Sequence, residues 1–374
     1  MAVAPPGLGA CKLPAGANFA DAQTAYAKFK TDLLTADGAG GFLRVRRPNS
    51  GTINSSNSEG IGYGMLIAVY MDDPTVFDQL WKYEQLHLRG NGLMDWEINA
   101  AGTAPTGTGA ATDGDEDQAF ALVMADKKWG GSGTLADTYL NYAKKQIDLI
   151  WQYEVDQTRG YVLAPGDSFG GGGIVNISYF APAFYRVFGQ TTGKAADWKR
   201  VIDSSYQALS ASLNAANKNV TNGLVPAWST PAGVPAAPNG TLPTYHQLDS
   251  SRTPFRIAQD YCWFNEPNAL AYLQKINAFY SGIGAANILD AYNLDGTPFA
   301  GSGSFPAASL HLAAFVGPAG VGAMATPAFA TLRDQAYTAL ITPPGLLGGS
   351  LYYNESWTVL SVLMMTGHYL NLAN

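Results

Sequence analysis

Three acidic segments, far apart in the chain, carry the side chains best suited to chemistry. They are Ser58-Glu59-Gly60-Ile61-Gly62-Tyr63-Gly64-Met65, Ala111-Thr112-Asp113-Gly114-Asp115-Glu116-Asp117 and Leu248-Asp249-Ser250-Ser251-Arg252-Thr253-Pro254. Each stands where a loop gives way to a helical pattern. One carboxyl that holds a proton and one ionised carboxylate that activates water are the equipment of glycoside hydrolysis. Arg252, three residues from Asp249, keeps a carboxylate ionised, as a general base requires. Glu59 faces the opposite demand. A helix N-terminus lowers the pKa of an acid placed there. Burial, or a neighbouring anion such as Asp113, must outweigh that effect if Glu59 is to donate a proton. Three glycines follow Glu59 at alternate positions, and each costs a helix about 1 kcal/mol relative to alanine. They predict a bare surface that something approaches closely, with a bulky polar ligand as one candidate.

Each segment also has a purely structural reading. Ser58 serves as an N-cap with Glu59 complementing the dipole, and Thr112 or Asp113 caps the second helix. Asp249 and Arg252 form a local ion pair of small worth. Capping accounts for two acids of the second segment better than for four. Asp113, Asp115 and Asp117 also mimic the opening of a calcium loop. That loop needs glycine at its sixth position and glutamate at its twelfth, where this chain has Gln118 and Met124. Gly166-Asp167-Ser168-Phe169-Gly170 matches the G-x-S-x-G elbow of serine hydrolases. That elbow needs a preceding strand and a following helix, whereas Pro165 and Gly171-Gly172-Gly173 flank it here. His87, His246, His311 and His368 show no metal-ligand spacing. No cofactor and no metal is expected.

The elements that must position these residues are mostly helical. Apolar residues recur at i, i+3 and i+4 over Phe19–Leu34, Gly60–Met71, Val76–Leu88, Asp115–Trp129, Leu135–Trp151, Phe180–Phe188, Asp197–Leu213, Pro254–Phe264, Ala269–Tyr280, Pro327–Leu340 and Tyr353–Leu370. Pro254 suits a first helical turn, which leaves Asp249 at the end of the preceding loop. Long loops rich in Gly, Pro, Ser, Thr and Asn run over 99–112, 164–173 and 221–245, and such loops in compact domains are usually functional. No linker divides the chain. We expect an all-α chain of about a dozen helices, one catalytic domain over residues 1–374 with an irregular segment at 1–18. The composition is 47% hydrophobic and only 14% charged, with net charge −7. That disfavours nucleic acid and anionic membranes, which reward clustered Lys and Arg. No apolar run is long enough for a membrane helix. The 8 Trp and 20 Tyr suit a sugar-binding surface and equally a core. Cys11 and Cys262 form one disulfide or remain thiols, and a buried thiol is the commoner state for a cysteine in a helical pattern such as Cys262.

At this point the chain resembles glycoside hydrolase family 8. The three segments carry the likeness, together with Asn91-Gly92-Leu93-Met94-Asp95-Trp96 and Tyr352-Tyr353-Asn354. It runs from about residue 20 to the C-terminus. The resemblance implies an (α/α)6 barrel of six inner and six outer helices. It implies inverting, endo-acting hydrolysis of β-1,4 links in cellulose-type glucan. Chitosan, mixed-linkage β-glucan and xylan are alternative substrates, and a silent carbohydrate-binding helical protein is a further alternative. By motif, Glu59 is the general acid, Asp249 the general base, and Asp113 the residue that holds and distorts the sugar. Arg252 orients Asp249, and Trp96 and Tyr353 offer sugar contacts. Leu248 departs from the pattern, which has an aromatic residue just before the base. A monomer acting on a β-linked polysaccharide is expected. It would be secreted or periplasmic, although the start shows no basic segment followed by an apolar one and any signal peptide would have been removed. The three carboxyls should converge, with Glu59 and Asp249 roughly 6.5–9.5 Å apart for an inverting enzyme.

Overall fold

The computed structural model describes residues 7–168, 173–240, 242–342 and 350–373. Among them are twelve helices of eleven residues or more and one short turn of helix. They are α1 Phe19–Leu33, α2 Ser58–Tyr70, α3 Pro74–Gln85, α4 Thr112–Lys128, α5 Tyr139–Tyr153, α6 Pro182–Thr192, α7 Ala195–Ser212, the short α8 Leu248–Ser251, α9 Thr253–Phe264, α10 Pro267–Ile283, α11 Ala313–Ala323, α12 Ala330–Ile341 and α13 Leu351–Met365. Helices α2, α4, α6, α9, α11 and α13 pack each against the next, and α13 closes on α2. The other six long helices wrap this ring. This is an (α/α)6 barrel.

Burial separates the two rings. In α5 one stripe is buried, led by Ala143, Ile147 and Ile150, as expected of a helix with one wet face. In α2 every residue from Gly60 to Tyr70 is buried, and in α11 every residue is buried. Helix α11 is absent from the periodicity reading for this reason. A helix apolar on all sides has no stripe to detect, and its Gly317, Pro318, Gly320 and Gly322 look like a loop. Pro318 is tolerated inside α11 where the neighbouring inner helices supply the packing that propensity does not.

Connections that lead from an outer to an inner helix are long: residues 34–57, 86–111, 154–181, 213–247 and 284–312. Those from inner to outer are short, such as 71–73, 193–194 and 265–266. The inner helices run parallel in this alternation, so their N-termini and the long loops share one end of the barrel. Glu59, Asp113 and Asp249 all stand at that end. A small antiparallel sheet of Ser56–Asn57, Glu97–Ile98 and Pro105–Gly107 pairs Asn57 with Glu97. It lays Trp96 beside the start of α2. Before α1, residues 7–18 form neither helix nor strand. Cys11 and Cys262 form a disulfide, with Cα atoms 5.4 Å apart across 251 residues. That overturns the thiol reading of Cys262 and fastens the N-terminal segment to α9. No described helix is long and apolar enough to cross a membrane.

Candidate active site

Local capping places each acid. Asn57, not Ser58, caps α2: its side chain accepts from the Gly60 N–H at 3.0 Å. Glu59 therefore lies in the first turn. Helix α4 begins without a side-chain cap. Thr112 instead donates its hydroxyl to the Ala164 carbonyl at 2.7 Å, and Asp113 Oδ1 accepts from the Gly114 N–H at 2.9 Å. Asp249 is not in a loop. It sits in α8, which Gln247 opens with a reciprocal capping box to Ser250.

The three carboxyls meet on one guanidinium. Arg252 Nη1 lies 2.6 Å from Glu59 Oε2 and 2.6 Å from Asp113 Oδ2, and Nη2 lies 3.6 Å from Asp249 Oδ1. Arg252 is buried, with Nε 3.2 Å from Ser178 Oγ and its plane 4.9 Å over the Tyr179 ring. Its strong partners are Glu59 and Asp113. Orientation of Asp249 falls more to Gln247, whose Nε2 donates to Asp249 Oδ2 at 2.7 Å. The Tyr352 hydroxyl donates to Glu59 Oε1.

Three carboxyls around one cation cannot all ionise without excess negative charge, so one of them retains its proton most easily. Burial pushes Glu59 up to about 7. Arg252 opposes the shift and Asp113 adds to it. Burial has thus outweighed the helix N-terminus that lowers an exposed acid. Burial also raises Asp249, against Arg252 and hydrogen bonds from Gln247 and Trp228. Its side chain is 35% exposed, against 16% for Glu59. Solvent therefore limits the effect of burial at Asp249 and favours ionisation there first.

The remaining predicted contacts divide. Trp96 is partly exposed, and its carbonyl accepts from the Ser58 N–H at 3.0 Å, one residue before Glu59. Tyr353 is 7% exposed, and its hydroxyl donates to the Leu248 carbonyl at 3.0 Å. It props α8 under Asp249 and presents little ring surface. Leu248 is among the more exposed large apolar residues. The glycines after Glu59 receive neighbouring elements rather than a ligand. A Cβ on Gly62 would fall 2.8 Å from Asp117 Cβ, and one on Gly114 would fall 2.6 Å from the Ser58 carbonyl carbon. Helices α2 and α4 touch through these two positions. The other acids of α4 have structural partners. Asp117 pairs with Arg256 at 2.5 Å, Glu116 accepts from Tyr185 at 3.0 Å, and Asp115 accepts from Gln146 at 3.1 Å. Among the described residues, no group of three His, Cys, Asp or Glu is arranged to hold a metal ion. In the G-x-S-x-G segment, Ser168 donates to Asp167 at 3.0 Å; residues 169–172 lie outside the described residues.

The model of the glycosyl hydrolases family 8 matches residues 9–368. The chain belongs to that family. Endoglucanase A of Acetivibrio thermocellus is 37% identical over 348 residues, covering 92% of this chain and 68% of that protein. Beta-glucanase of Niallia circulans is 30% identical over 360 residues, covering 91% of this chain and 83% of that protein. Among solved structures, the apo beta-1,3-1,4-glucanase from Paenibacillus sp. X4 aligns with a TM-score of 0.83 at 27% identity, over 98% of this chain and 96% of that one.

Several residues of this family 8 hydrolase escaped the sequence reading. Tyr63 follows Glu59 by four, the spacing that puts two side chains on one helix face, and its hydroxyl lies 3.2 Å from Arg252 Nη1. Gln247 stands three before Ser250, as a capping residue does. Tyr352 is adjacent to Tyr353. Ser178, Tyr179 and Trp228 have no local signal, since they reach the site from loops far along the chain.

Proposed function

We propose that the protein is an inverting, endo-acting hydrolase of β-1,4 links in cellulose-type glucan. The observation that carries this is the meeting of Glu59, Asp113 and Asp249 on Arg252, with Glu59 the largely buried acid and Asp249 the more exposed one. Protonated Glu59 gives its proton to the glycosidic oxygen as the C–O bond breaks. Asp249 takes a proton from water, which attacks the anomeric carbon from the opposite face. Asp113 hydrogen-bonds the sugar at the cleavage point and favours its distortion. Trp96 offers an apolar face to sugar C–H groups next to the acid. Inversion goes with a carboxyl gap of about 6.5–9.5 Å. A guanidinium in contact with both carboxyls is compatible with such a gap.

The similarity to endoglucanases supports glucan as the substrate class. The likeness to the Paenibacillus enzyme favours mixed-linkage β-glucan as a second reading. Reducing-sugar release across carboxymethylcellulose, barley glucan, xylan and chitosan separates these, and proton NMR of fresh product should show the α-anomer. Product of β configuration would refute inversion. Activity confined to chitosan or xylan would refute the glucanase reading. The Cys11–Cys262 disulfide supports action outside the cytosol, because such bonds persist in oxidising compartments.

A further inference from the structure

A second polar cluster lies beside the triad and takes no part in the proton transfers. Arg89 Nε is 3.3 Å from Asp95 Oδ1, and Arg89 Nη1 donates to Asp167 Oδ2. These two carboxylates hold two consecutive backbone amides. Asp95 Oδ1 accepts from the Gly109 N–H at 2.9 Å, and Asp167 Oδ1 accepts from the Ala110 N–H at 2.9 Å. Asn91 Nδ2 adds a bond to Asp167 Oδ2 at 2.7 Å. One arginine thus clamps the chain at residues 109 and 110 from two sides.

The clamp reaches the site through backbone. The Gly109 carbonyl accepts from the Trp96 N–H at 2.7 Å, and the Trp96 carbonyl accepts from the Ser58 N–H at 3.0 Å. Gly107 backs the indole: a Cβ there would fall 2.1 Å from Trp96 Cε2. Two residues after Ala110, α4 begins, with Asp113 as its second residue. Solvent screens the Arg89–Asp95 contact more than the Arg89–Asp167 contact, since the Asp167 side chain is buried and that of Asp95 is half-buried. The leverage of Arg89 is geometric. It holds Asp95 and Asp167 in the places from which they fix residues 109 and 110, and the Gly109 carbonyl in turn holds the Trp96 backbone.

We propose that Arg89 is a positioning residue for sugar binding, acting through Asp95 and Asp167 to hold the Trp96 indole against the Glu59 site. This rests on the reading of Trp96 as a sugar contact. A contact made equally in the ground and transition states changes KM and leaves kcat alone. A residue acting through that contact must do the same, and must lose its effect once the contact is gone.

The test is a double-mutant cycle on a cello-oligosaccharide of defined length, with kcat and KM measured for R89A, W96A and R89A/W96A. A loosened clamp should raise KM by up to about tenfold in R89A, with kcat little changed. The double variant should bind no worse than W96A. R89K keeps the charge but loses the fork; it should raise KM by less than R89A, and it serves if R89A fails to fold. Additive KM effects, or an R89A KM equal to wild type, would overturn the inference and leave the proposed function standing. An unchanged KM in W96A would overturn both the sugar-contact role of Trp96 and the inference. Absence of wild-type activity on every β-glucan would overturn the proposed function itself.

Discussion

Glu59→Gln separates two accounts of the same contact. In one, Glu59 is an ionised partner of Arg252 at 2.6 Å; in the other, burial and Asp113 keep it protonated up to about pH 7. The second account has a stability consequence of definite sign. The folded pKa of about 7 lies above the ordinary 4.5. Protonated Glu59 therefore contributes stability that is fully present below pH 4.5 and lost as pH rises through 7. At 1.36 kcal/mol per unit, the loss is about 3 kcal/mol. The glutamine of the variant is neutral at every pH and nearly the same shape. The variant should match wild type at pH 4 and exceed it by about 3 kcal/mol at pH 8. With an unfolding entropy of about 2.1 cal/mol/K per residue, that gain raises Tm by roughly 4 °C for a chain of this length. Thermal melts at both pH values, with urea titrations alongside, read the difference. The same ionisation should place the alkaline limb of kcat/KM near pH 7 in wild type. If Glu59→Gln is less stable than wild type at pH 8, Glu59 is an ionised ion-pair partner there and the argument for its raised pKa fails.

Three further outcomes are expected. Asp249→Asn should cost at least about 10²–10⁴ in turnover, and substrates with a good leaving group should restore activity to Glu59→Gln but not to Asp249→Asn; near-normal turnover in Asp249→Asn would place the base elsewhere. Gly114→Ala puts a Cβ 2.6 Å from the Ser58 carbonyl carbon, so α2 and α4 must separate, at about 1–3 kcal/mol of stability and with loss of turnover. An intact melt with full activity would show that the helix contact is slack. Removing the disulfide with Cys11→Ser and Cys262→Ser frees a loop of 251 residues and should cost about 2–4 kcal/mol by urea titration with kcat unchanged, since neither cysteine contacts the triad.

Much of the barrel was legible in the sequence, but unevenly. Outer helices such as α5 announce themselves because one face is wet and the apolar residues recur with the helical period. Helix α11 gives no such signal, because all of its faces are buried by neighbours that only the folded chain supplies. The glycines at 60, 62 and 64 signalled close approach correctly but not its partners, which are Tyr352, α4 and Leu80. Four acids in a row could not be told apart by spacing alone. Asp113 faces Arg252 and Asp117 faces Arg256, and both arginines are more than a hundred residues away.

The amino-acid sequence by itself determined the helical character of the chain, the acids at the starts of its helices and the family motifs that join them. Those features are local: they depend on periodicity, capping and residue type within a few positions. Tertiary structure decided the environment of each acid. The pKa of Glu59 depends on burial under Tyr352 and on charges contributed by residues 113 and 252, and these meet only when the inner ring closes. It also decided that Arg252 serves three carboxyls rather than one, that Tyr353 supports α8 rather than offering an open face, and that Cys11 reaches Cys262. Each of these depends on distances across the barrel, which no spacing along the chain encodes.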